Sequence, residues 1–371
     1  MDRRSIIKRA GIASILAVGV TACGKKEVAV AAPAVVTGGE AVRWRLASSF
    51  PKSLDTLFGA EETFARLVSE MSGGKFTISV HAAGELIPAF GVVDGVQNGT
   101  VEMAHTAAYY FFGKDDAFAL SCGIPFGLNS RQMSAWMYQG NGLKLTREFY
   151  ANYNIMNFPG GNTGAQMGGW YRNEINSVED MKGLKFRVGG FAGKVLERMG
   201  VVPQNMPGGE VYQALEKGTL DAAEWIGPYD DQKLGFNKVA PYYYYPAWWE
   251  GGPQLEFFIN AKAFQALSSE NKAIVEAATA FAHQEVQAKY DVKNPTALKQ
   301  LVAAKAKVLP FSKDIMDRAF KESMGLYAEL NESNPKWRKI YEDLAAFRKE
   351  QNQWFRFTEA RFDNYMQSQI L

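Results

Sequence analysis

The order of predicted strands and helices after residue 41 is the feature that most constrains the fold of this chain. Residues 42–47, 76–82 and 101–106 are predicted strands, and residues 54–71 and 88–98, which lie between them, are predicted helices. A strand–helix–strand–helix–strand order predicts a parallel sheet covered by helices on its faces. At 371 residues the chain is long enough for two such α/β domains, each with its own core.

A second α/β unit is predicted between residues 164 and 254, where short apolar strands again alternate with short helices. The glycine-rich residues 160–164 are flexible enough to form a crossover between two domains. The strand predicted at 254–260 would return the chain to the first domain. We therefore expect a first α/β lobe from 42–163 and about 255–310, and a second from 164–254.

The C-terminal third is predicted to be mostly helical. Ser268 would cap a helix that runs to about Tyr290, and two more helices would cover 296–306 and 312–330, with a short strand at 307–310. A last helix would begin at Pro335 and carry repeated aromatic residues to the C-terminus: Trp337, Tyr341, Phe347, Trp354, Phe355, Phe357, Phe362 and Tyr365. Residues 311–371 therefore form C-terminal helices that serve as a dimerisation arm or, alternatively, pack on their own subunit.

The N-terminal segment has the pattern of an export signal, predicted to cover residues 1–23. Arg3 and Arg4 precede an apolar stretch at 10–22, as in bacterial twin-arginine signals. Cys23 ends a lipobox-like sequence and would be acylated there, and residues 24–41 would form a flexible tether. The alternative is cleavage near 29–32 and free release. Both predictions place the mature protein outside the cytoplasm, in the periplasm.

Composition and motifs argue against several classes of protein. A formal net charge of +2, without a basic stripe beyond the N-terminus, argues against nucleic-acid binding. Two cysteines cannot form a disulfide framework or a cysteine metal cluster. The sequence has no nucleophile elbow, P-loop, zincin or dinucleotide motif. Its histidines, His81, His105 and His283, lie on different predicted elements, and among them His105 is nearest to the expected cleft.

Arg187 is the strongest candidate for an anion-binding residue. It ends an apolar strand and is followed closely by Gly189 and Gly190, which would let a ligand or a backbone segment approach. A guanidinium group can donate two parallel hydrogen bonds to a carboxylate. The alternative is a salt bridge between domains or at the surface.

Oxygen-bearing side chains could form a cation site nearby; the alternative is that the two glutamates are ordinary solvated acids. Glu224 and Trp225 follow a predicted strand, Glu250 follows a pair of tryptophans, and Gln166 contributes an amide oxygen. Such ligands suit a hard cation better than zinc or copper, although the composition does not identify the metal. An aromatic run at 109–112 follows the third strand and would line a cleft at the carboxyl edge of the first sheet.

The sequence NSVEDMKGLKFRVGGFAGKVLERMGVVPQNMPGGEVYQALEKGTLDAAEW, residues 176–225, resembles the extracytoplasmic solute-binding subunit of TRAP transporters. Arg187, the glycines and Asp221 all occur at the spacing typical of that family, and the likeness extends from about Val42 to the C-terminus. It implies an α/β, two-lobed periplasmic-binding-protein fold with hinge strands and a long C-terminal helix. The likeness is closest to the sodium-dependent 2-oxo-acid type, which holds pyruvate or a related keto acid.

The resemblance implies roles for seven residues. Arg187 would pair with the substrate carboxylate. The side chains of Gln166, Glu224 and Glu250 and the backbone of Trp225 would hold sodium, or alternatively calcium, and the cation would meet the carboxylate and keto oxygens. Gln166 and Trp225 would therefore also belong to the substrate site. The two remaining contacts, from the first domain, would come from Tyr109 and Tyr110.

These observations predict a transport protein and not an enzyme. Two lobes would close on a small carboxylate and its cation, and the closed protein, a homodimer by resemblance, would dock on a membrane permease. One alternative keeps this role with another ligand, either lactate with calcium or a bulkier acid favoured by the aromatic residues at 242–249. The other is an exported metal-dependent enzyme acting on keto or hydroxy acids, which the absence of a positioned general base disfavours.

Overall fold

A computed structural model describes residues 41–369 of the chain. The predicted export signal, Cys23 and almost all of the predicted tether lie outside the described residues. Within 41–369, none of the helices combines the length and the apolar content that crossing a membrane requires.

The described residues form eleven strands and thirteen α-helices. The strands are β1 (Val42–Ser48), β2 (Phe76–His81), β3 (Met103–Thr106), β4 (Ile155–Asn162), β5 (Trp170–Tyr171), β6 (Lys185–Arg187), β7 (Val202–Gln204), β8 (Ala222–Ala223), β9 (Tyr242–Tyr245), β10 (Gln254–Asn260) and β11 (Lys307–Pro310). The helices are α1 (Leu57–Met71), α2 (Val92–Gln97), α3 (Ser130–Tyr138), α4 (Gly142–Tyr150), α5 (Val178–Met181), α6 (Ala192–Arg198), α7 (Gly208–Glu216), α8 (Pro228–Leu234), α9 (Ala261–Gln265), α10 (Ser269–Ala303), α11 (Lys313–Ser333), α12 (Pro335–Phe357) and α13 (Glu359–Gln369).

The strands form two sheets. The first has the order β2-β1-β3-β10-β4, in which β1 is parallel to β2 and β3, as the strand–helix order predicted. Strand β10 is antiparallel to both β3 and β4. The second sheet has the order β11-β9-β5-β8-β6-β7. The chain leaves the first sheet after β4 and returns to it at β10, and these two strands are neighbours in that sheet. The two connections to the second sheet therefore begin next to each other.

Several local predictions differ from the structure in the second sheet. Residues 255–310 were predicted to belong to the first lobe, but β11 pairs in parallel with β9 and so belongs to the second sheet. Strands β5 and β9 and helix α8 were not predicted. Strand β5 has two residues and β9 is four consecutive tyrosines, so neither shows the apolar–polar alternation by which strands are recognised.

The helices predicted at 268–290 and 296–306 are one helix, α10, which continues through Pro295. Ser268 caps it as predicted, accepting a hydrogen bond from Asn271 N. A proline inside a helix removes one backbone hydrogen bond, which usually ends the helix. Here α10 packs against α1 and β4 along one part and against α8 along another, and this packing compensates for the lost bond. The single helix predicted from Ser130 to Tyr150 is instead divided at Gly140 into α3 and α4.

The predicted last helix is divided at Thr358 into α12 and α13, and its aromatic residues fall into two groups. Trp337 is buried, with its ring stacked on Phe191 at 5.2 Å and on Tyr341 at 5.4 Å. Near the end of α12 and along α13, large apolar side chains are exposed instead: Trp354, Phe357, Phe362, Tyr365 and Met366. The first part of the arm therefore packs on its own subunit, and the distal part presents an aromatic surface.

Candidate functional site

The site is built where β6 and β8 end side by side in the second sheet. The strands are parallel, and Arg187 is in register with Ala223, so the residue that follows, Glu224, lies beside Arg187. The backbone N–H of Glu224 donates to Arg187 O at 3.0 Å. Both side chains are buried, at 1% exposure or less. This is the carboxyl edge of parallel strands, where open α/β sheets collect their ligands.

All three side-chain hydrogen bonds of Arg187 come from its Nη1 and Nε atoms. Nη1 donates to Glu224 Oε1 at 2.7 Å and to Glu224 O at 2.5 Å, and Nε donates to Met206 O at 3.0 Å. The guanidinium group also lies over the Trp225 ring, 4.6 Å from its centroid. Nη2 is buried and has no hydrogen-bond partner among residues 41–369. Arg187 is thus held by Glu224 and Met206 and has one nitrogen without a partner in the described part of the chain.

Backbone hydrogen bonds join the segments that carry the other predicted ligands. Gln166 N donates to Glu250 O at 3.2 Å, and Met167 N donates to Ile226 O at 3.0 Å. Gln166 O in turn accepts from Ala247 N at 3.0 Å. The two connections between the sheets and the loop after β8 therefore meet at one point, although they are far apart in sequence.

Four buried side-chain oxygens at this point have no hydrogen-bond partner within the described part of the chain: Gln166 Oε1, Glu224 Oε2, Glu250 Oε1 and Glu250 Oε2. Buried polar atoms are almost always paired, so a cluster of unpaired acceptors is an arrangement that a cation or added protons would complement. Burial and the charge of Glu224 raise the pKa of Glu250 well above its ordinary value. Arg187 opposes this shift, as does the Tyr109 hydroxyl, which lies near Glu250 but outside hydrogen-bond geometry. Burial also raises the pKa of Glu224, while Arg187 opposes that shift.

This donor set fits a hard cation. It offers carboxylate and amide oxygens, the ligand types of sodium and calcium, and no sulfur or imidazole. Over residues 41–369, no three His, Cys, Asp or Glu side chains are grouped to hold a metal ion, so the two glutamates would need the amide of Gln166 and backbone oxygens to complete the shell. The backbone oxygen of Trp225 remains the predicted contributor, because it lies in the loop between Glu224 and Ile226.

Tyr109 and Tyr110 reach this edge from the first sheet. They lie in a 3-10 turn, Ala108–Phe111, directly after β3, and both are buried. A Cβ atom on Gly189 would lie 3.2 Å from Tyr109 Cε2 and 3.3 Å from Tyr110 Cε1. Burial raises the pKa of Tyr110, and the charge of Arg187 opposes this shift. The glycines after Arg187 thus admit the tyrosine pair.

Sequence reasoning missed two residues of the loop after β7. Met206 O accepts from Arg187 Nε, and Asn205 links the tyrosines to the glycine turn, since its Oδ1 accepts from Gly190 N and its Nδ2 donates to Tyr110 O, both at 3.4 Å. Strand β7 pairs in parallel with β6, so this loop lies at the same edge as Arg187. The adjacency of this loop to the end of β6 was the signal that could have identified Asn205 and Met206.

The histidine near the expected cleft is not part of this edge. His105 Nδ1 lies 3.0 Å from Glu61 Oε1, and Nε2 lies 3.0 Å from Gly160 O, inside the first lobe. His283 accepts a hydrogen bond from Gly161 N at 3.1 Å. Both buried histidines therefore hold the end of β4, where the chain leaves the first sheet.

Comparisons with known proteins agree with this architecture. The family model "DctP: Bacterial extracellular solute-binding protein, family 7" matches residues 47–334. A monocarboxylate 2-oxoacid-binding periplasmic protein of Nostoc sp. is 45% identical over 368 residues, which cover 99% of this chain and 100% of the relative.

Two solved structures are similar throughout. A TRAP transporter solute-binding protein from Bordetella bronchiseptica is 47% identical with a TM-score of 0.89, covers 90% of this chain and 99% of its own, and was solved as a mixed-occupancy dimer with copurified calcium and picolinate in one active site and an apo site. A TRAP periplasmic solute-binding protein from Pseudoalteromonas atlantica with bound sodium and pyruvate is 37% identical with a TM-score of 0.85, over 88% and 99% of the two chains. This chain belongs to the bacterial extracellular solute-binding proteins of family 7, has their two-lobed α/β fold, and is a TRAP transporter solute-binding protein and not an enzyme.

Proposed function

We propose that this protein binds a small 2-oxo monocarboxylate, such as pyruvate, together with a cation, and delivers it to the membrane permease of a TRAP transporter. One observation carries the proposal. A buried arginine nitrogen and four buried oxygens, all unpaired within residues 41–369, lie where the edge of the second sheet meets the connections between the sheets. A 2-oxo acid with a cation complements this set, since its carboxylate accepts from the nitrogen and the cation takes up the oxygens. The relatives with pyruvate and with a 2-oxoacid name support the same ligand class.

Each residue has a distinct task in this proposal. Arg187 Nη2 donates to the substrate carboxylate, and Glu224 orients the guanidinium through Nη1. Gln166, Glu224, Glu250 and the Trp225 backbone hold the cation, which supplies positive charge beside the carboxylate and keto oxygens. The ring of Trp225 forms an apolar wall under Arg187.

Formal charges distinguish the two candidate cations. Arg187, Glu224 and Glu250 together carry a net charge of −1, with all three ionised. Sodium would neutralise the site before the substrate binds, whereas calcium would neutralise it after the substrate carboxylate has entered. Buried net charge is costly, so the two ions need not bind the same acid equally well. Sodium is the first candidate and calcium the alternative, in keeping with relatives that hold each ion.

Closure of the lobes would complete the site. Tyr109 and Tyr110 come from the first sheet, and the arginine and the cation ligands come from the second sheet and its connections. A ligand stabilises the closed state only through contacts that are better there than in the open state. Contacts from both lobes meet this requirement, and the closed protein would be the form that the permease recognises.

A cavity beside the site favours a second candidate ligand, a bulkier acid. It has a volume of about 450 Å³, is lined mainly by apolar residues, and lies between Phe90 of the first lobe and the 207–210 segment of the second. Phe90 packs on Tyr110 with ring centroids 5.0 Å apart, and a Cβ on Gly208 would lie 2.5 Å from the Trp225 ring, so both walls of the cavity adjoin the site. An alkyl or aromatic side chain of a larger acid would fit there. The ring of picolinate, the acid bound to the Bordetella protein, is an example of such a group.

Glu250→Gln tests the proposal while keeping side-chain size. We expect the ligand-free variant to unfold at the same temperature as the parent or higher, because a buried charge is removed. Stabilisation by pyruvate with sodium should fall to near zero, measured by thermal shift and calorimetry. Glu256→Gln is the matched control, since Glu256 is an equally buried glutamate among Asn157 and Gln254 of the first sheet, and its variant should bind as the parent does.

The same assay separates the alternatives. Pyruvate, lactate and a branched 2-oxo acid are each tested with sodium, with calcium and with neither ion. Parent protein that binds pyruvate equally well in the absence of both ions would refute the cation site. Product formed from a keto or hydroxy acid by purified protein would refute the binding role.

We also propose two features of assembly and location. Cys23 would be acylated after export and tether the protein to the membrane, which mass spectrometry of the native N-terminus would show as a lipid adduct, whereas an unmodified Cys23 or a cleaved one would exclude the tether. The aromatic surface of α12 and α13 would join two copies into a homodimer. The dimeric Bordetella relative and the exposed Phe357, Phe362 and Tyr365 support this assembly.

A further inference from the structure

Helix α8 carries two adjacent buried aspartates that bond to different parts of the molecule. Asp231 Oδ2 accepts from Trp170 Nε1 at 3.0 Å and from Tyr243 Oη at 2.7 Å, on strands β5 and β9. Its Oδ1 accepts from Ile226 N at 3.2 Å. Ile226 directly follows the loop residue Trp225, so Asp231 fixes the backbone that carries the predicted cation ligands.

Asp230 points to the first lobe. Its Oδ1 lies 3.0 Å from Thr56 Oγ1, and its Oδ2 accepts from Tyr290 Oη at 2.7 Å. Thr56 Oγ1 is also 3.0 Å from Tyr290 Oη, so the three groups form a closed triangle of polar contacts in which Asp230 Oδ1 and Tyr290 Oη share the single hydroxyl hydrogen of Thr56. All three residues are fully buried.

This triangle joins three structural units. Thr56 directly precedes α1, which packs on the first sheet, and Tyr290 lies on α10, which packs along α1 and then along α8. Around its outer side, Asp55 pairs with Lys233 and Lys293 at the surface. Exposed ion pairs of this kind contribute little, whereas a buried carboxylate bonded to hydroxyl groups loses much of its stabilisation when one hydroxyl leaves.

We propose that Asp230, Thr56 and Tyr290 form a lock between the lobes, and that α8 couples this lock to the ligand site through Asp231. The inference rests on the proposed function. It makes Asp230 and Asp231 positioning residues that do not touch the ligand. Because the lock is made between lobes, its loss should shift the open–closed equilibrium and lower affinity without changing the ligand's own contacts.

Thr56→Val tests the lock, since valine keeps the shape of threonine and removes the hydroxyl. For pyruvate with sodium chloride, we expect calorimetry to show about a tenfold weaker affinity, and stopped-flow fluorescence a faster dissociation. Thr279→Val is the matched control: Thr279 is a buried threonine on α10 that donates to Glu276 O of its own helix, and its variant should bind like the parent. Tyr290→Phe, which removes a second hydroxyl of the triangle, repeats the test if Thr56→Val folds poorly.

A double-mutant cycle and a ligand-free measurement complete the design. Thr56→Val and Asp230→Asn combined should weaken binding less than the two separate effects multiplied, because both remove one interaction. Equal affinity of parent, Thr56→Val and Tyr290→Phe would overturn the lock and leave the proposed function intact. If the parent binds no 2-oxo acid, the proposed function fails, and small-angle scattering of the ligand-free proteins decides the lock: a more open Thr56→Val supports it, and identical profiles contradict it.

Discussion

At the scale of single residues, Arg187 makes a buried salt bridge within the second lobe and keeps unpaired the nitrogen that the proposed carboxylate contact requires. A guanidinium group has five N–H bonds; three of those in Arg187 are used by Glu224 and Met206, and the two on Nη2 have no partner within residues 41–369. The arginine is therefore both a salt-bridge partner and a free donor. Replacing it with alanine would leave Glu224 buried without its partner, at a cost of about 3–5 kcal/mol, so the fold would suffer along with binding.

A buried glutamate of the first sheet should make stability depend on pH. Burial raises the pKa of Glu256 to about 8. The folded state thus favours the protonated form, and this contribution is complete below the ordinary pKa of about 4.5 and is lost as the pH rises through about 8. Asn157 Oδ1 and Gln254 Oε1, unpaired in the described chain, are available as acceptors for a protonated neighbour.

We therefore expect Glu256→Gln to gain stability over the parent as the pH rises from 5 to 8.5. The difference in unfolding free energy should grow by at most about 1.4 kcal/mol per pH unit, measured by denaturant unfolding at each pH. Curves for parent and variant that stay parallel across this range would show that Glu256 is ionised throughout in the folded protein.

At the scale of elements, the glycine turn after β6 determines how closely the two lobes meet. Gly190 has φ +60°, and a Cβ there would lie 2.2 Å from Tyr109 Cδ2. The sequence indicated that something approaches these glycines, but not that a tyrosine pair of the other lobe does so. Pairs of residues 80 positions apart in sequence become neighbours only through the packing of the lobes.

Gly190→Ala should therefore weaken ligand binding by tenfold or more. The positive φ strains alanine by about 1 kcal/mol in any state, whereas the clash with Tyr109 acts only when the lobes are closed. Gly183→Ala is the control, because Gly183 has φ +76° with open space around its Cβ position. Calorimetry with pyruvate and sodium should show a loss for Gly190→Ala alone; equal losses for both variants would mean that backbone strain, not closure, is responsible.

At the scale of the whole molecule, α10 and the C-terminal arm connect parts that the sheets leave separate. Helix α10 runs past α1, β4 and α8, and α12 anchors through Trp337 before α13 extends with its side chains exposed. Side chains such as Phe357, at 77% exposure, and Phe362, at 67%, form an apolar surface of the kind that a second copy would cover.

Phe362→Glu combined with Tyr365→Glu should convert the proposed dimer into a monomer, because charges on an apolar interface are desolvated without partners. Light scattering coupled to size-exclusion chromatography measures the change. Val292→Glu is the control, an equally exposed apolar position on α10. A monomeric parent protein, or a double variant that stays dimeric, would contradict assembly through this surface.

Elements with a strong local pattern were predicted well, and those without one were not. β1, α1 and β10 appear with ends within about three residues of the prediction, since alternation or helical spacing marks them. Strand β9 lacks such a pattern, and α10 continues through Pro295 against the local rule, because packing on two lobes outweighs a single lost hydrogen bond. Strand β11 joins the second sheet because its pairing with β9 depends on tertiary packing and not on its position in sequence.

The sequence by itself determined the α/β class and the family and pointed to the residues proposed for the site except Asn205 and Met206, because these inferences depend on periodicity and on residue types at defined spacing. Only the tertiary structure joined the segments that carry Gln166, Glu224 and Glu250, paired Arg187 with Glu224 while leaving Nη2 without a partner in residues 41–369, and brought Tyr109 against the glycine turn. The physical reason is that pairing of buried polar atoms depends on distances between distant segments. Such distances are set by how the two sheets and α10 pack together. They cannot be predicted from the local sequence around each residue.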